Sequence, residues 1–185
     1  MPKPAKAQAP QPENPQQLIL DGAVVNNEWH LIPSDESAAD LSAATLASGR
    51  LMLPLAVWQE LRGELTDRKS EIGVWLDSDE TADLLGEAAC ELPLIAVHFP
   101  AFADGRGFTT GRLLRERYGF AGELRAIGNF MRDQLSYLSR CGFNAFAYQG
   151  DQSLEELLKS LRDFSQSYQA AVDQPEPLFR RRGLA

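Results

Sequence analysis

Leu94-Ile-Ala-Val-His-Phe-Pro-Ala-Phe-Ala-Asp-Gly-Arg-Gly-Phe-Thr-Thr-Gly-Arg-Leu-Leu-Arg-Glu-Arg-Tyr118 reads as a strand, a loop and a helix in succession. Its first six residues are a continuous apolar run with branched side chains, the pattern of a strand buried on both faces. Glycines and hydroxyls follow where a helix should begin, and the periodic residues from Arg106 to Tyr118 continue it. A buried strand that feeds a helix through a short loop is the repeating unit of an α/β fold. The unit recurs on either side of this stretch. Leu51-Met-Leu53 precedes Pro54, which suits the first turn of a helix over 55–65. Ile72-Gly-Val-Trp-Leu76 precedes Asp77-Ser-Asp-Glu80, N-cap chemistry for a helix to Ala89. Leu124–Ile127 and Phe143–Tyr148 are strands, with helices from Phe130 to Cys141 and from Ser153 to Ala171. Five βα units predict an α/β protein with a mostly parallel five-stranded sheet, either flavodoxin-like or incomplete and barrel-like. Ahead of it, Leu18–Leu20 and Trp29–Ile32 flank the turn pairs Asp21-Gly22 and Asn26-Asn27 and predict an N-terminal β-hairpin. Residues 34–48 read as a loop with a short helix.

Residues 1–17 hold five prolines and four glutamines and read as a disordered tail. Residues 18–172 read as one domain, and 173–185 as a loose C-terminal tail. The net charge of −8 argues against nucleic-acid binding through a basic surface. No apolar run approaches the ~18–20 residues that span a bilayer. The start of the chain has no apolar core of a secretory signal, so the expected compartment is the cytoplasm. Cys90 and Cys141 with His30 and His98 offer neither four thiolates for an iron–sulfur cluster nor a zinc set, so no metal is expected.

The charge is uneven. Seven of the fourteen arginines lie between Asp104 and Arg140, against four acids, so this segment is +3 while the rest of the chain is −11. In parallel α/β folds ligands bind beyond the carboxyl ends of the strands. Asp104, Gly105, Arg106, Gly107, Thr109, Thr110 and Arg112 follow one such end, and Asn129 and Arg132 the next. A helix N-terminus with free N–H groups beside arginine is suited to an anion. These nine residues are the candidate anion- or partner-binding site. The plainer reading is that Gly107 and Gly111, four apart on one helix face, let the helix close on the sheet, and that Arg112 pairs with Glu116. The loop lacks the Gly-Lys-Ser/Thr end of a Walker loop and the glycine spacing of a dinucleotide fingerprint. His98 inside an apolar strand reads as a hydrogen-bonded core residue, and no catalytic residue is assigned.

Phe102-Ala-Asp-Gly-Arg-Gly-Phe108, Leu113-Leu-Arg-Glu-Arg-Tyr-Gly-Phe-Ala-Gly-Glu-Leu-Arg-Ala-Ile-Gly128, Arg132-Asp-Gln134 and Arg140-Cys-Gly-Phe-Asn-Ala-Phe146 resemble a bacterial family of domains of unknown function, number 934. The resemblance covers residues 50–165. Members of that family are encoded beside the haemoprotein subunit of assimilatory sulfite reductase and are commonly described as oxidoreductases of sulfite reduction. The resemblance implies a role in sulfur assimilation and brings no catalytic residue with it. The chain departs from the family pattern at Asn129 and Asn144, where aspartate is expected in many relatives. An accessory or electron-transfer partner protein, docking to the haemoprotein or its electron donor through an arginine-rich strand-end face, is the expected function. The alternative is a flavin- or nucleotide-binding oxidoreductase of sulfur assimilation.

Overall fold

The computed structural model describes residues 12–39, 41, 49–164 and 166–182. It is an α/β protein built on one sheet of eight strands: β1 (Gln17–Leu20), β2 (Ala23–Asn26), β3 (Trp29–Leu31), β4 (Arg50–Pro54), β5 (Ile72–Leu76), β6 (Leu94–Phe99), β7 (Glu123–Gly128) and β8 (Ala145–Phe146). The spatial order is β2-β1-β8-β7-β6-β5-β4-β3. From β3 to β8 every neighbouring pair is parallel, while β1 is antiparallel to both β2 and β8.

The helices are α1 (Leu55–Leu61), α2 (Arg106–Glu116), α3 (Leu135–Arg140), α4 (Leu154–Ser160) and a last turn, α5 (Leu178–Arg181). The strands β3 to β8 run round the sheet in sequence order. Right-handed crossovers that all step the same way place every covering helix on one face. There is no reversal of order, so the doubly wound, flavodoxin-like alternative is replaced by the barrel-like one.

The sheet is larger than the five strands expected, because the hairpin joins it. Asp21 and Gly22 both have positive φ, 50° and 75°, and form the two-residue turn between β1 and β2. Trp29–Leu31 is not the hairpin's second strand. It pairs in parallel with β4 at the opposite edge of the sheet. Only Asn27 and Glu28 separate β2 from β3, and three residue steps span at most about 11 Å. The sheet therefore curls far enough to bring the end of β2 within that reach of the start of β3. Asn27 N–H donates to the Gln16 carbonyl (2.8 Å), prolonging the β1–β2 ladder, and Asn14, ahead of β1, reaches β3 by donating from Nδ2 to the Trp29 carbonyl (2.7 Å).

Strand alternation then divides the core in two. Ile95, Val97 and Phe99 point outward and pack under the helices. Leu94 and Ala96 point inward with Leu18, Trp29, Met52, Trp75 and Ile127, filling the inside of the curl. Arg125 shares this interior at 2% exposure, held by Glu123 and Asn27.

Several helices are shorter than the sequence suggests. In place of one helix over 77–89 there are two tight turns, Ala82–Leu84 and Gly86–Glu91, broken at Gly86, whose φ is +55°. The helix expected to reach Ala171 ends at Ser160. Of the expected N-terminal tail, residues 1–11 lie outside the described residues, and Glu13 accepts a hydrogen bond from Gln149 Nε2 (2.9 Å). The short helix expected within 34–48 falls largely outside the described residues. In the C-terminal segment, Leu178 N–H donates to the Tyr168 carbonyl (3.0 Å).

Candidate functional site

The carboxyl ends of β6, β7 and β8 open onto a groove of about 1020 Å³. Its floor is Gly128 and Phe130, just past β7. One side is the loop after β6, Pro100–Phe102, and the other is the stretch after β8, from Tyr148 to Gln152, with Ser160 at the end of α4 and Phe164 beyond it. Phe130 and Tyr148 stack at a tilt with ring centroids 5.9 Å apart. Phe102, Met131 and Phe164 stand on the rim at 60%, 50% and 72% exposure.

The nine residues expected to form one site fall in three places. Asn129 and Arg132 line the groove. Asn129 is fixed by its backbone N–H to the Phe99 carbonyl (2.6 Å) and by Nδ2 to the Pro100 carbonyl (3.0 Å). Arg132 donates from Nε to Ser160 Oγ (2.5 Å).

Asp104, Gly105 and Arg106 form a second group at the start of α2. Asp104 accepts from the Arg106 backbone N–H (3.2 Å) and from its Nε (2.9 Å) and Nη2 (2.6 Å). Arg106 Nη2 also donates to Ser78 Oγ, beyond β5 (2.8 Å). The Arg106 guanidinium, opposed in part by burial, pulls the Asp104 carboxyl down to about 2.

The rest belong to packing or to open surface. Gly107 and Gly111 face the sheet: a Cβ would lie 2.6 Å from Phe99 Cζ at the first and 2.3 Å from Phe143 Cε2 at the second. Thr110 is buried between them. Thr109 is exposed, and Arg112 pairs with Glu116 at 2.9 Å along the helix.

The seven arginines of this segment do not form one face. Arg115 turns inward and donates to the carbonyls of Gly142, Phe120 and Gly122 and to Asn144 Oδ1. Arg125 is inside the curled sheet, and Arg140 binds the Gln169 carbonyl beside Asp173.

A third polar group closes the end of β5. His98 Nδ1 lies 3.0 Å from Asp77 Oδ1, and the same oxygen accepts from the Ser78 N–H (2.7 Å). Glu80 accepts from the Asp77 N–H (2.8 Å); burial raises its pKa, and Asp77 and Asp79 add to this against that hydrogen bond. His98 packs edge-on against Trp75, and a Cβ on Gly128 would come 2.9 Å from its Nε2. The imidazole is covered, so this pair ties β5 to β6.

Among the described residues no group of three or more His, Cys, Asp or Glu is placed to hold a metal ion, and no helix is long and apolar enough to cross a membrane. The nine residues drawn from the sequence leave out Phe102, Tyr148, Gln149, Ser160 and Phe164, although Phe102 and Gln149 fall in the strand-end stretches Phe99–Arg106 and Gln149–Asp151 that the α/β reading marks for ligands. The available signal was two phenylalanines, Phe102 and Phe164, set in otherwise polar or small-residue segments.

Fold and groove together define an α/β protein with a concave surface at the carboxyl ends of its parallel strands. The chain belongs to the family described as "Bacterial protein of unknown function (DUF934)", whose model matches residues 73–179, more than half of its length. No curated protein and no solved structure matches it.

Proposed function

We propose that the chain is an accessory or electron-transfer partner protein of assimilatory sulfite reduction in the cytoplasm, docking to the haemoprotein subunit or its electron donor through the groove face. The observation that carries docking is the gathering of Phe102, Met131 and Phe164, each at least half exposed, round one concavity. Large exposed apolar side chains grouped into one patch mark interaction sites, whereas single ones do not. The resemblance to a family encoded beside the haemoprotein supports the choice of partner. Arg132 is the segment's arginine that lines this groove, and it supplies a charge there for orienting a partner.

The test is capture of the purified haemoprotein and of its electron donor by the tagged chain. Truncating a central interface anchor costs roughly 2 kcal/mol, about thirtyfold in affinity. A Phe102→Ala/Met131→Ala/Phe164→Ala variant should therefore lose capture while melting like wild type. Failure of the wild-type chain to capture either protein, with normal growth on sulfate after its deletion, would falsify the reading.

A further inference from the structure

We infer that the groove is also a small-molecule site, and that it takes a planar nitrogen heterocycle carrying one phosphate or carboxylate. It shares Phe102 and Phe164 with the docking face, and what it adds rests on the groove's polar groups. At about 1020 Å³ the groove is at the upper end of ordinary ligand pockets, roughly 300–1,000 Å³, with room for a ring system and a side chain. Its walls offer ring-sized apolar surface at Phe102, Tyr148 and Phe164, two of them more than half exposed and so able to gain by being covered.

The polar groups are fixed in complementary senses. Asn129 and Gln149 each hold their amide in place with one N–H, on the Pro100 and Glu13 carbonyls, and no described residue donates to Asn129 Oδ1 or Gln149 Oε1, so both oxygens are available as acceptors. Two acceptors suit the N–H edge of a heterocycle. Arg132 is the opposite case. Ser160 Oγ holds its Nε, and among the described residues this is its one side-chain hydrogen bond. Ser160 is itself buried at 4%, so it is a fixed anchor. The Nη groups of Arg132 remain as donors, and a guanidinium held at Nε is suited to an anionic oxygen pair. Asp133 and Asp163 also line the groove. Their charges oppose a polyanion, which limits the ligand to a single acid group opposite Arg132.

The experiment titrates the purified full chain with four probes: flavin mononucleotide, adenosine monophosphate, riboflavin and inorganic phosphate. Flavin fluorescence and thermal melting are the readouts. Either of the two phosphorylated heterocycles should bind and raise the melting temperature, and which one does so identifies the ring. Riboflavin should bind at least tenfold more weakly than flavin mononucleotide if the ring is a flavin. Arg132→Gln should reduce binding of the phosphorylated probe at least tenfold while leaving the unmodified melting curve in place, and Phe164→Ala should weaken it several-fold. The inference is overturned if no probe shifts the melt at millimolar concentration. It is overturned equally if phosphate alone binds as well as the heterocycles, or if binding survives both substitutions unchanged. A failed capture of the haemoprotein would leave these outcomes untouched, and a failed titration would leave docking untouched.

Discussion

Asp104 occupies the place an external anion would take at the start of α2. Its carboxylate accepts from the first N–H of the helix and from two nitrogens of Arg106, so that first N–H and the neighbouring guanidinium are both met from within the chain. The electrostatic consequence is testable. Arg106 lowers the Asp104 carboxyl from 3.8 to about 2 in the folded protein. A carboxyl depressed by folding stabilises the fold above its unfolded value, and that stabilisation is lost as pH falls toward the folded value. Arg106→Ala should therefore be less stable than wild type at neutral pH. The gap should close between about pH 3.8 and about pH 2, read from melting temperatures across that range. A constant gap down to pH 2 would mean that Arg106 acts through packing or through Ser78 instead. The glycines beside it were legible: a pair four residues apart predicted close approach of helix and sheet, and Phe99 and Phe143 fill the space a Cβ would need. The arginines were not. Charge counts along a segment carry no information on which side chains turn inward, and Arg115 and Arg125 are bound inside the fold.

At the scale of elements, the groove depends on where α4 stops. Leu154, Leu157, Leu158 and Leu161 make an apolar stripe, and Phe164 and Tyr168 continue its spacing, which is why the sequence reads as helix to Ala171. Spacing alone does not hold a helix; the stripe must be buried against something. Leu157 is fully buried, but Phe164 and Tyr168 are 72% and 69% exposed, so the helix ends and Phe164 becomes a groove wall. The same residues that argued for a longer helix thus form the site, and no local pattern separates the two uses. The other end of α4 is conventional. Ser153 Oγ accepts the Glu156 N–H at 3.3 Å, with Glu155 and Glu156 in the first turn. Ser153→Ala should cost about 1 kcal/mol in urea denaturation. Because α4 carries the Ser160 that positions Arg132, any ligand of the groove should also bind more weakly to this variant. An unchanged denaturation midpoint would show that α4 is held by its buried face alone.

For the whole molecule, the decisive relation is between residues far apart in sequence. The βα rhythm from Leu51 to Phe146 was readable because each unit is local, and it fixed the α/β class. Whether the sheet lies open or curls was not readable, since that depends on which strand Trp29–Leu31 joins, and parallel pairing with β4 leaves no signature in either segment. Once β2 and β3 stand at opposite edges with two residues between them, curling is forced. Arg125 sits at the join. From β7 it reaches across the interior to Asn27 Oδ1 in the β2–β3 link (3.0 Å), to Met52 Sδ of β4 (3.8 Å), and to Glu123 on its own strand (2.6 Å). Burial pushes its pKa down, and the nearby Glu123 charge opposes this. Breaking such a pair from one side leaves a charge without a partner, which typically costs 3–5 kcal/mol. Arg125→Met should lose stability of roughly that size. Adding Glu123→Gln should recover part of the loss, because the stranded carboxylate is gone and Met fills the apolar interior beside Trp29 and Met52. Urea denaturation of the wild type, both single variants and the double variant measures the coupling directly. If Arg125→Met costs less than about 1 kcal/mol, the curl is held by its apolar filling and by the Asn14 hydrogen bond to β3 alone, and Arg125 is not part of the closure.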